Sequence, residues 1–180
     1  MANTVNESAI KKLKLLFTVV DRPKGEFYLD VISQFGVNCQ MAVGGLGTLL
    51  SGGTDTYAAL NQPPLSPPGF VFPIVWTLLY LLMGYASYRV YDSGAPRAAK
   101  KQALTFYGIQ LFLNFLWPLV FFGLQWYWVA FAVLVLLWVF IYLTMYAFGQ
   151  TDDTAENLLI PYLLWVTFAG YLNLGVALLN

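Results

Sequence analysis

Between Gln102 and Thr151 the chain carries no formally charged residue. One bilayer crossing takes about 20 apolar residues, so a run of this length holds two membrane helices and the turn between them. Gly123-Leu124-Gln125 supplies the turn, and Trp126-Tyr127-Trp128 reads as an aromatic belt at a membrane–water boundary. Composition leads to the same solvent. The chain is 59% hydrophobic and 10% charged, whereas soluble domains average about 45–50% apolar and about 25% charged. Apolar surface on that scale has to face lipid.

Further spans flank this pair. Phe70 to Tyr91 is free of charge until Arg89, and Asn157 to Asn180 has none. The entry to the first of these reads NQPPLSPPGF from Asn61 to Phe70. Pro63 and Pro64 hold that loop extended, because a residue before proline avoids the helical region. Pro67 and Pro68 fix φ and lack an N–H, which suits the unsatisfied start of a helix. Pro73, a turn inside, is expected to bend the span.

An earlier span lies within Leu29 to Ser51. Its Asp30, Gln34 and Asn38 share a helical face that either looks into the bundle or precedes a helix starting near Val37. An ion path along that face would need a charged partner, which the other spans do not offer. Gly44, Gly45 and Gly47 lack the lysine of a phosphate loop and fit close helix packing instead. Ahead of this span, Thr4 and Glu7 suit a capping box. Ile10, Leu13, Phe17 and Val20 then form the apolar face of a short helix lying on lipid, too short for a signal peptide. The expected fold is an all-α membrane protein. A five-transmembrane-helix bundle occupies residues 29–180, behind a short amphipathic, cytoplasmic or interfacial N-terminal segment over residues 1–28.

Charge sets the orientation. Nine basic residues balance nine acidic ones, so net charge points to no nucleic-acid partner. Lys11, Lys12, Lys14, Arg22, Lys24, Arg89, Arg97, Lys100 and Lys101 all fall in the N-terminal segment or around the second loop. The positive-inside rule then places the N-terminus in the cytoplasm and the C-terminus outside it.

Absences narrow the chemistry. Cys39 is the single cysteine and there is no histidine, which removes an intrachain disulfide, the commonest haem ligand and His-based nucleophile systems. No metal site is expected. The four clear spans hold no internal lysine for a Schiff base and no internal carboxylate to carry a coupled proton. Three faces instead gather aromatic and polar groups at helical spacing: Phe72, Trp76, Tyr80 and Met83; Gln110, Asn114, Trp117 and Phe121; Tyr162, Trp165, Ala169 and Asn173. Turned inward, they would wall an apolar cleft with a few hydrogen-bonding groups, suited to a flat conjugated ligand. The plainer alternative is that these rings pack or anchor the helices and that Asn114 and Asn173 bond between them.

Three segments carry a family likeness: NQPPLSPPGFVFPIVWTLLYLLMG, YGIQLFLNFLWPLVFFG and LIPYLLWVTFAGYLNLG. In order and spacing, from about Met41 to Asn180, they resemble the translocator protein family, also called tryptophan-rich sensory proteins (TspO/MBR). The resemblance implies five transmembrane helices in the lipid of a bacterial cytoplasmic membrane, commonly as a homodimer, with a pocket beneath the first loop. It implies hydrophobic ligands, notably protoporphyrin IX, with no cofactor required. By the same resemblance, Trp76 and Trp165 match a pocket pair implicated in light-dependent porphyrin breakdown in bacterial members. Tyr57 matches a first-loop aromatic, Asn114 and Trp117 a pocket wall, and Ala169 a small lining residue.

The chain departs from the family at Leu65, where many members carry tryptophan, and at Trp117-Pro118-Leu119, where a kink moves by one position. Leu172 and Leu174 near the C-terminus are followed by no basic residue, which leaves the animal sterol motif unsupported. Three functions follow as expectations. The first is a tetrapyrrole-binding membrane receptor, carrier or sensor whose site comprises Tyr57, Phe72, Trp76, Tyr80, Asn114, Trp117, Phe121, Tyr162, Trp165 and Ala169. The second is a photo-oxidative porphyrin-degrading enzyme using Trp76 and Trp165, although no acid–base pair supports catalysis. The third is a structural or transport component that needs no ligand.

Overall fold

The computed structural model describes residues 60–180. The first expected span, the amphipathic segment ahead of it and Tyr57 lie outside the described residues. Among the described residues the architecture is all-helical. Helix α1 runs Val71–Asp92 and α2 runs Arg97–Pro118 into a π-helical turn at Leu119–Gly123. Helix α3 is Tyr127–Gly149, α4 a short Asp153–Asn157, and α5 Ile160–Leu179. Four helical stretches are long and apolar enough to cross a membrane. At 1.5 Å per residue the 22 residues of α1 cover about 33 Å, enough for a hydrocarbon core of about 30 Å.

The proline-rich entry behaves as a stiff lead into α1, with the Val71 N–H bonding the Pro68 carbonyl at 3.0 Å. Pro73 lies in the first turn of α1, where a backbone N–H has no intrahelical partner to lose. Its expected bend therefore has no missing hydrogen bond to drive it. Pro118 does have a consequence: the α-helical part of α2 stops there and the wider turn begins. The corner is then closed by Gln125 at φ 56, a left-handed residue of the kind that ends helices. The turn thus falls at Leu124 and Gln125, as the sequence suggests.

A contiguous core runs along the bundle, with Leu79, Met83 and Val90 of α1, Leu137, Ile141 and Phe148 of α3, and Tyr162 and Val166 of α5. Helix α3 packs most extensively on α2 and α5. Its outward face, including Val135, Leu136 and Tyr142, is exposed and equally apolar. Such an all-round apolar helix belongs in lipid.

The two ends are fastened differently. At the end near the α1–α2 loop, Arg89 donates from Nε and Nη2 to the two carboxylate oxygens of Asp152, at 3.0 and 2.8 Å. Asp152 also caps α4 by accepting from the Ala155 N–H at 2.8 Å. One carboxylate therefore ties α1 to the α3–α4 connection. At the opposite end, the proline loop is strapped onto α5. Asn61 and Asn180 exchange backbone–side-chain hydrogen bonds at 3.1 Å, Tyr171 donates to the Pro64 carbonyl at 2.8 Å, and the buried Pro63 ring sits against Gly175.

Arg89's hydrogen bonds, with help from Ala155, hold the Asp152 carboxyl below its ordinary value of 3.8. A carboxylate with a lower pKa folded than unfolded contributes stability that is complete above the unfolded value and is lost as pH falls through the folded one. Thermal stability in detergent is therefore expected to fall as pH drops below 3.8. Asp152→Asn should remove that part of the pH dependence and lower stability at pH 7. An unchanged acid limb in the variant would refute the assignment.

Candidate functional site

The three aromatic–polar faces turn toward one another between α1, α2 and α5. On α1, Phe72, Trp76 and Tyr80 are half-buried and Met83 is fully buried. On α2, Gln110 and Asn114 are buried and Trp117 half-buried, while on α5 Tyr162, Ala169 and Asn173 are buried and Trp165 half-buried. Helical spacing produces this directly, since residues three and four apart share a face.

Five of these side chains form a closed circuit. The Trp76 ring lies 5.7 Å from Tyr80. The Tyr80 hydroxyl accepts from Asn114 Nδ2 at 2.9 Å. One turn from Asn114 on the same face, Gln110 Oε1 accepts from the Tyr162 hydroxyl at 2.8 Å. Tyr162 then returns to Trp76, edge-on at 6.2 Å. Phe72 and Trp165 make a second edge-on pair between α1 and α5 at 6.0 Å. Each tryptophan of the expected pair thus meets a ring from the opposite helix.

A separate clamp stands beside this circuit. Trp117 Nε1 donates to Asn173 Oδ1 at 2.9 Å, and Asn173 Nδ2 donates to the Tyr127 carbonyl at 2.9 Å. The backbones of α2 and α5 are not close neighbours; long side chains bridge them. Phe121 falls outside the circuit. It stacks on Trp117 at 5.2 Å and lies in a second cluster with Val120, Ala130 and Val176 at the α2–α3 corner. Ala169 is part of the main core that Trp76, Tyr80, Trp117 and Trp165 pack against.

Nearly all the buried polar chemistry is satisfied. Among the described residues the exception is Gln110 Nε2, a buried donor without an acceptor. Turning the amide over would only leave its oxygen unpaired instead. An unmade bond of this kind costs about 1–3 kcal/mol. Sequence reading placed Gln110 and Asn173 on inward faces but did not count them among the site residues. The signal was present: each is an amide side chain one turn from an aromatic site residue, in a stretch with no other reason for polarity.

Comparison with known proteins agrees with the geometry. The TspO/MBR family pattern matches residues 36–179. The tryptophan-rich sensory protein of Cereibacter sphaeroides is 45% identical over 126 residues, 70% of this chain and 77% of the relative. The tryptophan-rich protein TspO of Chlorobaculum tepidum is 42% identical over 124 residues, 69% and 78% of the two chains. The translocator protein of Bos taurus is 38% identical over 118 residues, 65% and 70%. With four membrane-length helices and a match across most of its length, the chain is an integral membrane protein of the TspO/MBR family.

Proposed function

We propose that this protein is a membrane receptor, carrier or sensor for flat hydrophobic tetrapyrroles of the protoporphyrin IX kind, held between α1, α2 and α5. The closed circuit of Trp76, Tyr80, Asn114, Gln110 and Tyr162 carries the reading. Rings from separate helices offer faces for offset stacking, and a few amide and hydroxyl groups among them fix orientation. The absence of histidine favours a metal-free macrocycle over coordinated haem. The names borne by the relatives, sensory and translocator, fit a ligand-responsive membrane protein.

In this reading a further span within residues 29–51 completes a five-helix bundle, and two copies pair in a bacterial cytoplasmic membrane. The N-terminus is cytoplasmic. Arg89, Arg97, Lys100 and Lys101 gather at the α1–α2 end, and the Arg89–Asp152 pair brings the α3–α4 connection to that same end. That distribution supports the orientation.

Titration of protoporphyrin IX into the detergent-solubilised chain tests the reading. Saturable quenching of indole fluorescence is expected. A Trp76→Phe/Trp165→Phe variant should bind at least about tenfold more weakly, the loss of about 1.4 kcal/mol from two stacking surfaces. Affinity unchanged in the variant, or no tighter than partition into empty micelles, would defeat the proposal.

A further inference from the structure

Gln110 is 1% exposed at the centre of α2, and its Nε2 is the one buried side-chain polar atom without a partner among the described residues. Its surroundings are otherwise arranged for recognition. Tyr162, bonded to its Oε1, lies edge-on to Trp76, and Asn114, one turn further along α2, is bonded to Tyr80. Every other buried hydrogen-bonding atom of the circuit is used within the protein.

We propose that Gln110 is a specificity determinant of this site, with Nε2 donating to an uncharged carbonyl oxygen on the ligand. The inference rests on the tetrapyrrole reading and narrows it to macrocycles that carry such a group. A primary amide nitrogen has only hydrogens to offer, so its partner must be an acceptor. Charge then decides which acceptor. The cations among the described residues are Arg89, Arg97, Lys100 and Lys101. Lys101, the nearest along α2, lies roughly 13 Å back by the helical rise, and Arg89 is already engaged by Asp152. A carboxylate at Gln110 would be an ion in an apolar bundle without a counter-charge. A ketone or lactam oxygen supplies the missing acceptor and avoids that penalty.

The test uses octaethylporphyrin and its mono-oxo derivative, two uncharged macrocycles that differ by one ring ketone. Each is titrated into the full chain in detergent, with indole quenching as the readout. The ketone is expected to bind about tenfold more tightly, because it pairs a donor that the parent leaves unpaired. Gln110→Leu should bring the two affinities within about twofold of each other, and Gln110→Met serves if the first variant does not fold. A purely structural Gln110 would alter both affinities together and leave their ratio intact. Equal tight binding of the two by the native chain overturns the inference alone and needs no variant. A preference that survives in the variants overturns it as well. If neither macrocycle binds better than to empty micelles, the tetrapyrrole reading fails and takes this inference with it.

Discussion

Gly175→Leu will lift the proline loop off the bundle and destabilise the protein by about 1–3 kcal/mol, the usual range for forcing atoms into a filled space. A Cβ at Gly175 would stand 2.5 Å from both Cβ and Cγ of Pro63. The proline ring is rigid and buried, so the loop or α5 has to move. Replacing a helical glycine also returns up to about 1 kcal/mol of helix propensity, which offsets part of the loss. Gly170→Ala is the matching control. Its Cβ meets only Leu134 Cδ2 at 3.4 Å, so propensity should dominate and stability hold or rise. Hydrogen exchange reads the loop itself, because the Asn61 amide is bonded to Asn180 Oδ1. Exchange there should accelerate in Gly175→Leu and stay slow in Gly170→Ala. Equal protection in both would mean that Pro63 does not hold the loop down.

Asn173→Leu is expected to cost about 2–3 kcal/mol, from a buried donor stripped of its partner. The native amide joins Trp117 on α2 to the Tyr127 carbonyl at the start of α3. Leucine fills nearly the same volume but leaves the Trp117 indole N–H with no acceptor. Hydrogen bonds between membrane helices average well under 2 kcal/mol when both partners can find replacements. Asn173 is 1% exposed, which leaves little room for a substitute. Unfolding in graded denaturing detergent gives the magnitude, and the Trp117 emission should shift as its indole loses the bond. A loss below about 0.5 kcal/mol would show that water or another residue takes over.

The helices were legible because lipid makes their signal simple. Over Tyr127–Gly149 no charge interrupts the apolar run, so the span could be drawn from composition alone. The inward faces of α1, α2 and α5 were legible from spacing, since amides and rings recur there at three- and four-residue intervals. Pairings across the bundle were not. Arg89 and Asp152 are 63 positions apart, and nothing local to either residue names the other. The same holds for Tyr162 and Gln110, whose contact depends on how α2 and α5 are brought together. Helix α4 was missed for a different reason. Its cap, Asp152 ahead of Asp153-Thr154-Ala155-Glu156, is a recognisable start signal, but it lay between two apolar runs that read more strongly. Pro73 misled because its effect depends on its distance from a helix start that only the backbone reveals.

The π-helical turn at Leu119–Gly123 has one more effect on the chain. A wider turn accommodates a surplus residue without lengthening the rod. Removing one residue there would restore an ordinary winding and swing everything downstream by about 100°. Trp126 and Trp128, now exposed, would leave the membrane boundary, and Tyr127 would carry its carbonyl out of reach of Asn173. That corner therefore acts as a phase adjuster: it sets the rotation at which the second half of the molecule meets the first.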